Sequence, residues 1–242
     1  ETLKWAKQNE FRGEVEKIYW TARPGVLQKA VGDTGKVDKG NPTDVLIAFS
    51  DGKFLGLSAK STLKNSDIGF KNPGMGTVEK ALNINLSDIK KQSEQEFILK
   101  HDLPTSTAAR KKAIRADGAI KTEAAILRPS ILNAMRDALI KRLNIMKDGE
   151  ARDYLLSDWM DASNAIYPYY IKVTGKKSGV AIEDPLKNDK LSALNKGNIK
   201  FEQIGNDSVG VTASGKRILK MRFKYESQAI ASSMKMSGDP WK

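Results

Sequence analysis

The sequence contains no cysteine and a single histidine, and together these absences remove much of enzyme chemistry. Without cysteine there is no disulfide framework, no thiolate zinc site and no thiol nucleophile. The one histidine, His101, lies in the polar stretch Lys100-His101-Asp102 and reads as a surface residue. A serine–histidine–aspartate triad would have to run through it. Long apolar runs are also missing: none approaches the roughly 20 residues that a bilayer-spanning helix needs. No secretory leader is read, so an intracellular, cytoplasmic protein of bacterial or phage-encoded type is expected. Hydrolytic chemistry in such a chain falls to carboxylates, lysine and a hard metal ion.

What is present is a basic chain with enough apolar content for a real core. Hydrophobic residues make up 40% of the 242, which argues against wholesale disorder. Lysine and arginine number 41 against 29 acids, a formal charge of +12. An excess of that size favours a polyanionic partner, because each neutralised phosphate releases counterions.

Along the chain, residues 2–20 are predicted helical, with Phe11, Val15 and Ile18 spaced for one buried face. Residues 32–42 read as a loop. Val45-Leu46-Ile47-Ala48-Phe49 is apolar throughout, as in a strand covered on both faces. Ser50-Asp51-Gly52-Lys53 is a hairpin turn signal, and Phe54 to Lys60 forms the returning strand. A polar loop over 61–77 leads into a mainly helical stretch to about 161. There Leu132, Met135, Leu139, Leu143 and Met146 make an apolar stripe, and Pro129 starts or kinks the helix. Short strands follow at 169–173, 180–182, 199–204, 209–212 and 218–225. The expected class is mixed α/β, divided as a core over 1–175 and a β-rich C-terminal part over 176–242 packed on it as one unit.

The chemistry concentrates in Pro42-Thr43-Asp44 through Ser58-Ala59-Lys60. Strand alternation sends Ser58 and Lys60 to one face and Leu57 and Ala59 to the other. A carboxylate opening one strand and a lysine ending its hairpin partner meet at the same end of a sheet. Such a pair can hold a divalent cation and set a water against a phosphodiester.

This segment resembles the PD-(D/E)xK phosphodiesterase superfamily, with Asp44 matching the metal-binding aspartate and Lys60 the catalytic lysine. The preceding helix, the hairpin and the following helices also match the family's order of elements. The close likeness covers residues 42–60, with looser support over 2–175. It implies a restriction-endonuclease-like core, a central mixed sheet flanked by helices. It further implies a Mg²⁺- or Mn²⁺-dependent endonuclease, possibly of the type II restriction kind, acting on double-stranded DNA as a homodimer.

Two departures shape the site. Ser58 stands where the family carries an acid, so it contributes a hydroxyl and a carboxylate is missing. Glu14 of the predicted first helix is the favoured replacement metal ligand, ahead of Glu10, with Glu16 facing away. Register is the second departure. A two-residue turn at Asp51-Gly52 puts Asp44 opposite Ala59, so turning it toward Lys60 needs a bend, a bulge or a three-residue loop.

For DNA contact, residues 108–147 carry ten basic side chains against three acidic ones. Lys220, Arg222 and Lys224 line one strand face opposite Leu219, Met221 and Phe223. Such a row can track phosphates, though lysines also guard strand edges. Lys71 and Asn72, in the loop beyond Lys60, are candidates to enter a groove, and Ser227, Gln228, Ser232, Ser233 and Lys235 to touch the backbone. Rival readings are a non-catalytic nucleic-acid-binding protein that keeps the nuclease fold, and a basic scaffold or packaging protein.

Overall fold

The computed structural model describes residues 1–32, 41–61, 71–160, 168–176, 179–184, 187–226 and 230–241, setting aside the side chains of 60, 61, 176 and 240. The chain divides into two compact units: Glu1–Gly69 with Met160–Ser192, and Phe70–Trp159 with Ala193–Lys242. This division does not follow a cut at residue 175, because the long helical stretch groups with the C-terminal strands. Among the described residues no helix is long and apolar enough to cross a membrane.

The first unit is a mixed five-stranded sheet in the order β1-β2-β3-β4-β5. Its strands are β1 (Val15–Trp20), β2 (Val45–Phe49), β3 (Phe54–Ser61), β4 (Tyr170–Lys176) and β5 (Gly179–Glu183). β1, β2 and β3 form an antiparallel meander, β4 runs parallel to β3, and β5 is antiparallel to β4. Two short helices, α1 (Thr2–Gln8) and α2 (Val26–Val31), flank the sheet. Ala6 of α1, with Phe11, packs on Ile47, Phe49, Leu55 and Ile171. Leu27 and Val31 of α2 pack on Leu46. Both faces of β2 are therefore covered, which is why its sequence is apolar without alternation.

The helix expected over residues 2–20 is not formed. It stops after α1, where Glu10 takes a left-handed φ of 74°, and the chain re-enters as a strand. Gly13 passes so close to the β2–β3 turn that a Cβ would lie 2.9 Å from the Asp51 backbone nitrogen. Val15, Ile18, Tyr19 and Trp20 are β-branched or aromatic and favour the pleated edge they occupy. Phe11 is buried as expected, but Val15 and Ile18 are 38% and 62% exposed.

The second unit carries α3 (Met75–Leu82), α4 (Leu86–Lys100), α5 (Thr107–Ala116), α6 (Gly118–Leu143) and α7 (Asp148–Tyr154), the last continued by a π-helical turn over Leu155–Trp159. After α8 (Asp189–Asn195) comes an antiparallel sheet ordered β6-β7-β8-β9: Ile199–Ile204, Ser208–Ala213, Lys216–Tyr225 and Met234–Pro240. Leu132, Met135, Leu139 and Leu143 are buried on α6, as their spacing predicts. Pro129 does not start that helix; it lies inside it. Asp117 caps the N-terminus, its carboxylate accepting from the Ala119 and Ile120 amides.

Candidate active site

The β2–β3 turn sets the geometry. Ala48 pairs with Phe54, and the Phe49 amide donates to the Lys53 carbonyl at 3.0 Å, leaving Ser50, Asp51 and Gly52 as a three-residue loop. Gly52 adopts φ 76°, the left-handed conformation this loop needs. Val45 consequently pairs with Leu57, the last register pair of β2 with β3. The Asp44 amide also donates to the Leu57 carbonyl at 2.9 Å, a bend at the start of β2. The Asp44 carboxylate then accepts the Ala59 amide through Oδ2 at 2.8 Å. Asp44 is thus fastened to the segment of β3 that carries Ser58 and Lys60.

A bracket of polar contacts holds the residues before Asp44. The Asn41 Oδ1 accepts from the Thr43 amide at 3.0 Å and from the Thr43 hydroxyl at 2.6 Å, while Asn41 Nδ2 donates to the Pro168 carbonyl. Thr21 donates through its hydroxyl to the Thr43 carbonyl and through its amide to the Asp44 carbonyl. Gly56 lets this bracket lie against the sheet, since a Cβ there would overlap the Thr43 hydroxyl.

Ser58 is 2% exposed, which suits a positioning group better than one that touches substrate. Lys60 pairs through its backbone with Thr174 of β4; its side chain lies outside the described residues. Glu14 is not brought to this end of the sheet. Its amide donates to the Ser50 hydroxyl and its carbonyl accepts from the Ser50 amide, which puts it beside the β2–β3 turn. The five residues of β2, about 17 Å of strand, separate it from Asp44. The helix that was to present Glu14 is absent, and the metal role expected of Glu14 goes with it. Glu10, the next choice, belongs to the same end: its carbonyl accepts from Lys53 Nζ.

Sequence reading overlooked Lys172. It is 5% exposed on β4 and pairs in register with Ser58 on one side and Glu183 on the other. Its ammonium lies 3.6 Å from the Glu183 carboxylate. Partners in register share a face, so Ser58, Lys172 and Glu183 form a polar row across three strands. The available signal was a lone lysine inside the otherwise apolar Tyr169–Val173 segment.

A metal centre at Asp44 has a sparse donor set. Among the described residues no three histidine, aspartate or glutamate side chains cluster as a metal site. Asp44 commits Oδ2 to the Ala59 amide, and among the described residues its Oδ1 accepts no hydrogen bond. One carboxylate does not suit the closed cages of zinc or calcium sites. It does suit Mg²⁺, which retains waters and is commonly bound by one or two carboxylates plus substrate phosphate.

The candidate DNA-contacting residues all lie in the second unit, and most are already engaged. Lys71 Nζ donates to the Ser157 carbonyl at 2.9 Å, and the Lys71 backbone bonds to Trp159 and Gly238. Asn72 is exposed. The alternation of β8 is as expected, with Leu219, Met221 and Phe223 buried. On its other face Arg222 is paired with Asp207 at 2.9 Å and Lys224 with Asp239 at 3.5 Å, while Lys220 sits in register with Asp239. The strand row is therefore partly neutralised by neighbouring acids.

Compared with family models, with curated proteins and with solved structures, the chain gave no match in any of the three.

Proposed function

We propose that this chain is a divalent-metal-dependent deoxyribonuclease of the PD-(D/E)xK type. The observation that carries the reading is the Asp44 carboxylate held 2.8 Å from the Ala59 amide, against the Ser58-Ala59-Lys60 segment. The order of elements lends support: a helix, three antiparallel strands with the short α2 after the first, further helices, then a strand parallel to β3. Double-stranded DNA as substrate, restriction-like endonuclease action, a homodimer and a cytoplasmic setting belong to the same reading.

Asp44 would hold Mg²⁺ or Mn²⁺, with remaining ligands from water and the substrate phosphate. The ion, when bound, supplies Lewis-acid polarisation of the phosphoryl oxygen and a more acidic water. The Ala59 amide orients the Asp44 carboxylate. Lys60 is assigned the negative charge that develops on the phosphoryl group, and Ser58 the support of β3 beneath it.

The test is digestion of supercoiled, linear and single-stranded DNA with Mg²⁺ and with chelator. Cleavage that requires Mg²⁺ and disappears in Asp44→Asn supports the reading. The second reading, a non-catalytic nucleic-acid-binding protein on the same scaffold, is favoured by the single carboxylate at the site. DNA binding without cleavage under any metal would replace the first reading with the second.

A further inference from the structure

Within the second unit, a cavity of about 370 Å³ opens between α4, α5 and the turn over residues 231–234. Lys90 and Lys91 of α4 and Arg110 of α5 line it. Its one acid among the described residues is Glu94, which is 2% exposed and holds three donors. Glu94 Oε1 accepts from the Tyr225 hydroxyl at 2.7 Å and from the Ala231 amide at 2.9 Å, and Oε2 accepts from Lys90 at 2.8 Å. Lys90 therefore matches Glu94, and the charge of Lys91 and Arg110 remains. Among the described residues neither of these two side chains has an ion pair or hydrogen bond, in contrast to those of Arg222 and Lys224 on β8. Arg110 Nε is buried and meets no acceptor among the described residues.

A guanidinium nitrogen taken out of water without an acceptor is costly for a folded chain and is usually compensated by a partner. The partner this cavity would satisfy is an oxyanion. Thr107, the first residue of α5, also lines it, so the positive end of that ten-residue helix lies at the same place. Arginine presents a planar fork of donors that matches phosphate oxygens, and lysine adds a point charge.

We propose that this cavity is a phosphate-binding pocket that takes a backbone phosphate of a nucleic-acid strand. It shares its partner with the nuclease reading but none of that reading's catalytic residues, and it can be tested without cleavage. A nucleic acid is favoured as the source because the chain carries +12 overall, which draws a polyanion rather than a single small anion.

The experiment uses the full chain in chelator, with fluorescein-labelled 16-base-pair duplex and single-stranded DNA, read by anisotropy across a salt series. Arg110→Lys keeps the charge and removes the fork; Lys91→Ala is an exposed change that spares the fold. Lys112→Ala, on α5 but not lining the cavity, is the charge control. Arg110→Lys and Lys91→Ala are each expected to weaken binding several-fold, and Lys91→Ala to lower the salt slope by about one. Lys112→Ala should do less. Titration with inorganic phosphate alone separates the two sources of the anion. If phosphate binds and the variants abolish that while DNA affinity is untouched, the nucleic-acid assignment is overturned. Wild-type DNA and phosphate binding in both folded variants would overturn the pocket itself.

Discussion

The Asp44 carboxylate accepts the Ala59 amide at 2.8 Å, so a side chain at the start of β2 takes the place of a further main-chain bond to β3. Asp44→Asn keeps an acceptor oxygen for that amide and removes the charge. The expected result is a fold and melting temperature close to wild type, with Mg²⁺-dependent cleavage reduced at least about 100-fold, more than typical losses of outer-shell partners. A purified Asp44→Asn protein that cuts supercoiled plasmid at the wild-type rate would remove this site from consideration.

Ser58 and Lys60 should separate in single-turnover assays. Ser58 is buried and is assigned support, whereas Lys60 is assigned charge at the reacting phosphate. Ser58→Ala is expected to retain most of the rate, and Lys60→Ala to lose about 100-fold or more. Equal losses would contradict the division of roles.

Glu14 provides a control at the far end of the same sheet. Because its backbone bonds to Ser50, beside the β2–β3 turn, Glu14→Gln is expected to leave the Mg²⁺ requirement unchanged. A raised half-saturating Mg²⁺ concentration in that variant would mean that the strand spacing has been misjudged.

How this site reads in the sequence depends on which interactions are local. The β2–β3 hairpin was legible because an apolar run, an Asp-Gly turn and a second strand are adjacent in the chain. The loop length was not: both two- and three-residue turns suit Ser50-Asp51-Gly52-Lys53, and only pairing with β3 decides between them. Phe11, Val15 and Ile18 mimic a helical stripe, yet β-branched and aromatic residues from 15 to 20 suit an edge strand equally well. The left-handed Glu10 and the approach of Gly13 to Asp51 settle the matter, and both are tertiary facts. The burial of Lys172 beside Ser58 depends on a parallel pairing across more than a hundred residues, which no local pattern encodes.

Glu94 is a buried acid with three donors, from Lys90, Tyr225 and Ala231. Removing it strands an ammonium, a phenol and an amide together. Glu94→Ala is expected to destabilise the protein by about 3 kcal/mol, in the range for breaking a buried pair from one side. Tyr225→Phe removes one donor and should cost about 1 kcal/mol. Urea denaturation with unchanged m values is the measurement; a larger loss for Tyr225→Phe would reverse the assigned importance.

Glu226 is held below the usual carboxylate range, first by the hydrogen bond from Lys235 and then by its charge. A carboxyl lowered on folding adds stability above its unfolded pKa and loses it as pH falls through the folded value. In Lys235→Ala the Glu226 carboxyl should titrate nearer the ordinary range, as followed by NMR. An unshifted titration would show that other groups set it.

The three-residue loop at Ser50-Asp51-Gly52 makes the site sensitive to the type of turn rather than to the length of the tip. Substitutions that favoured a two-residue turn at Asp51-Gly52 would pair Ser50 with Lys53 and slide β3 by one step against β2. Asp44 would then lie opposite Ala59, and every core-facing side chain of the hairpin would exchange sides. Surface hairpin tips are ordinarily where chains tolerate changes in length. Here a change in length that leaves Phe49 bonded to Lys53 keeps the frame between the two segments of backbone, whereas a change of turn type, a whole strand away from Asp44, shifts it.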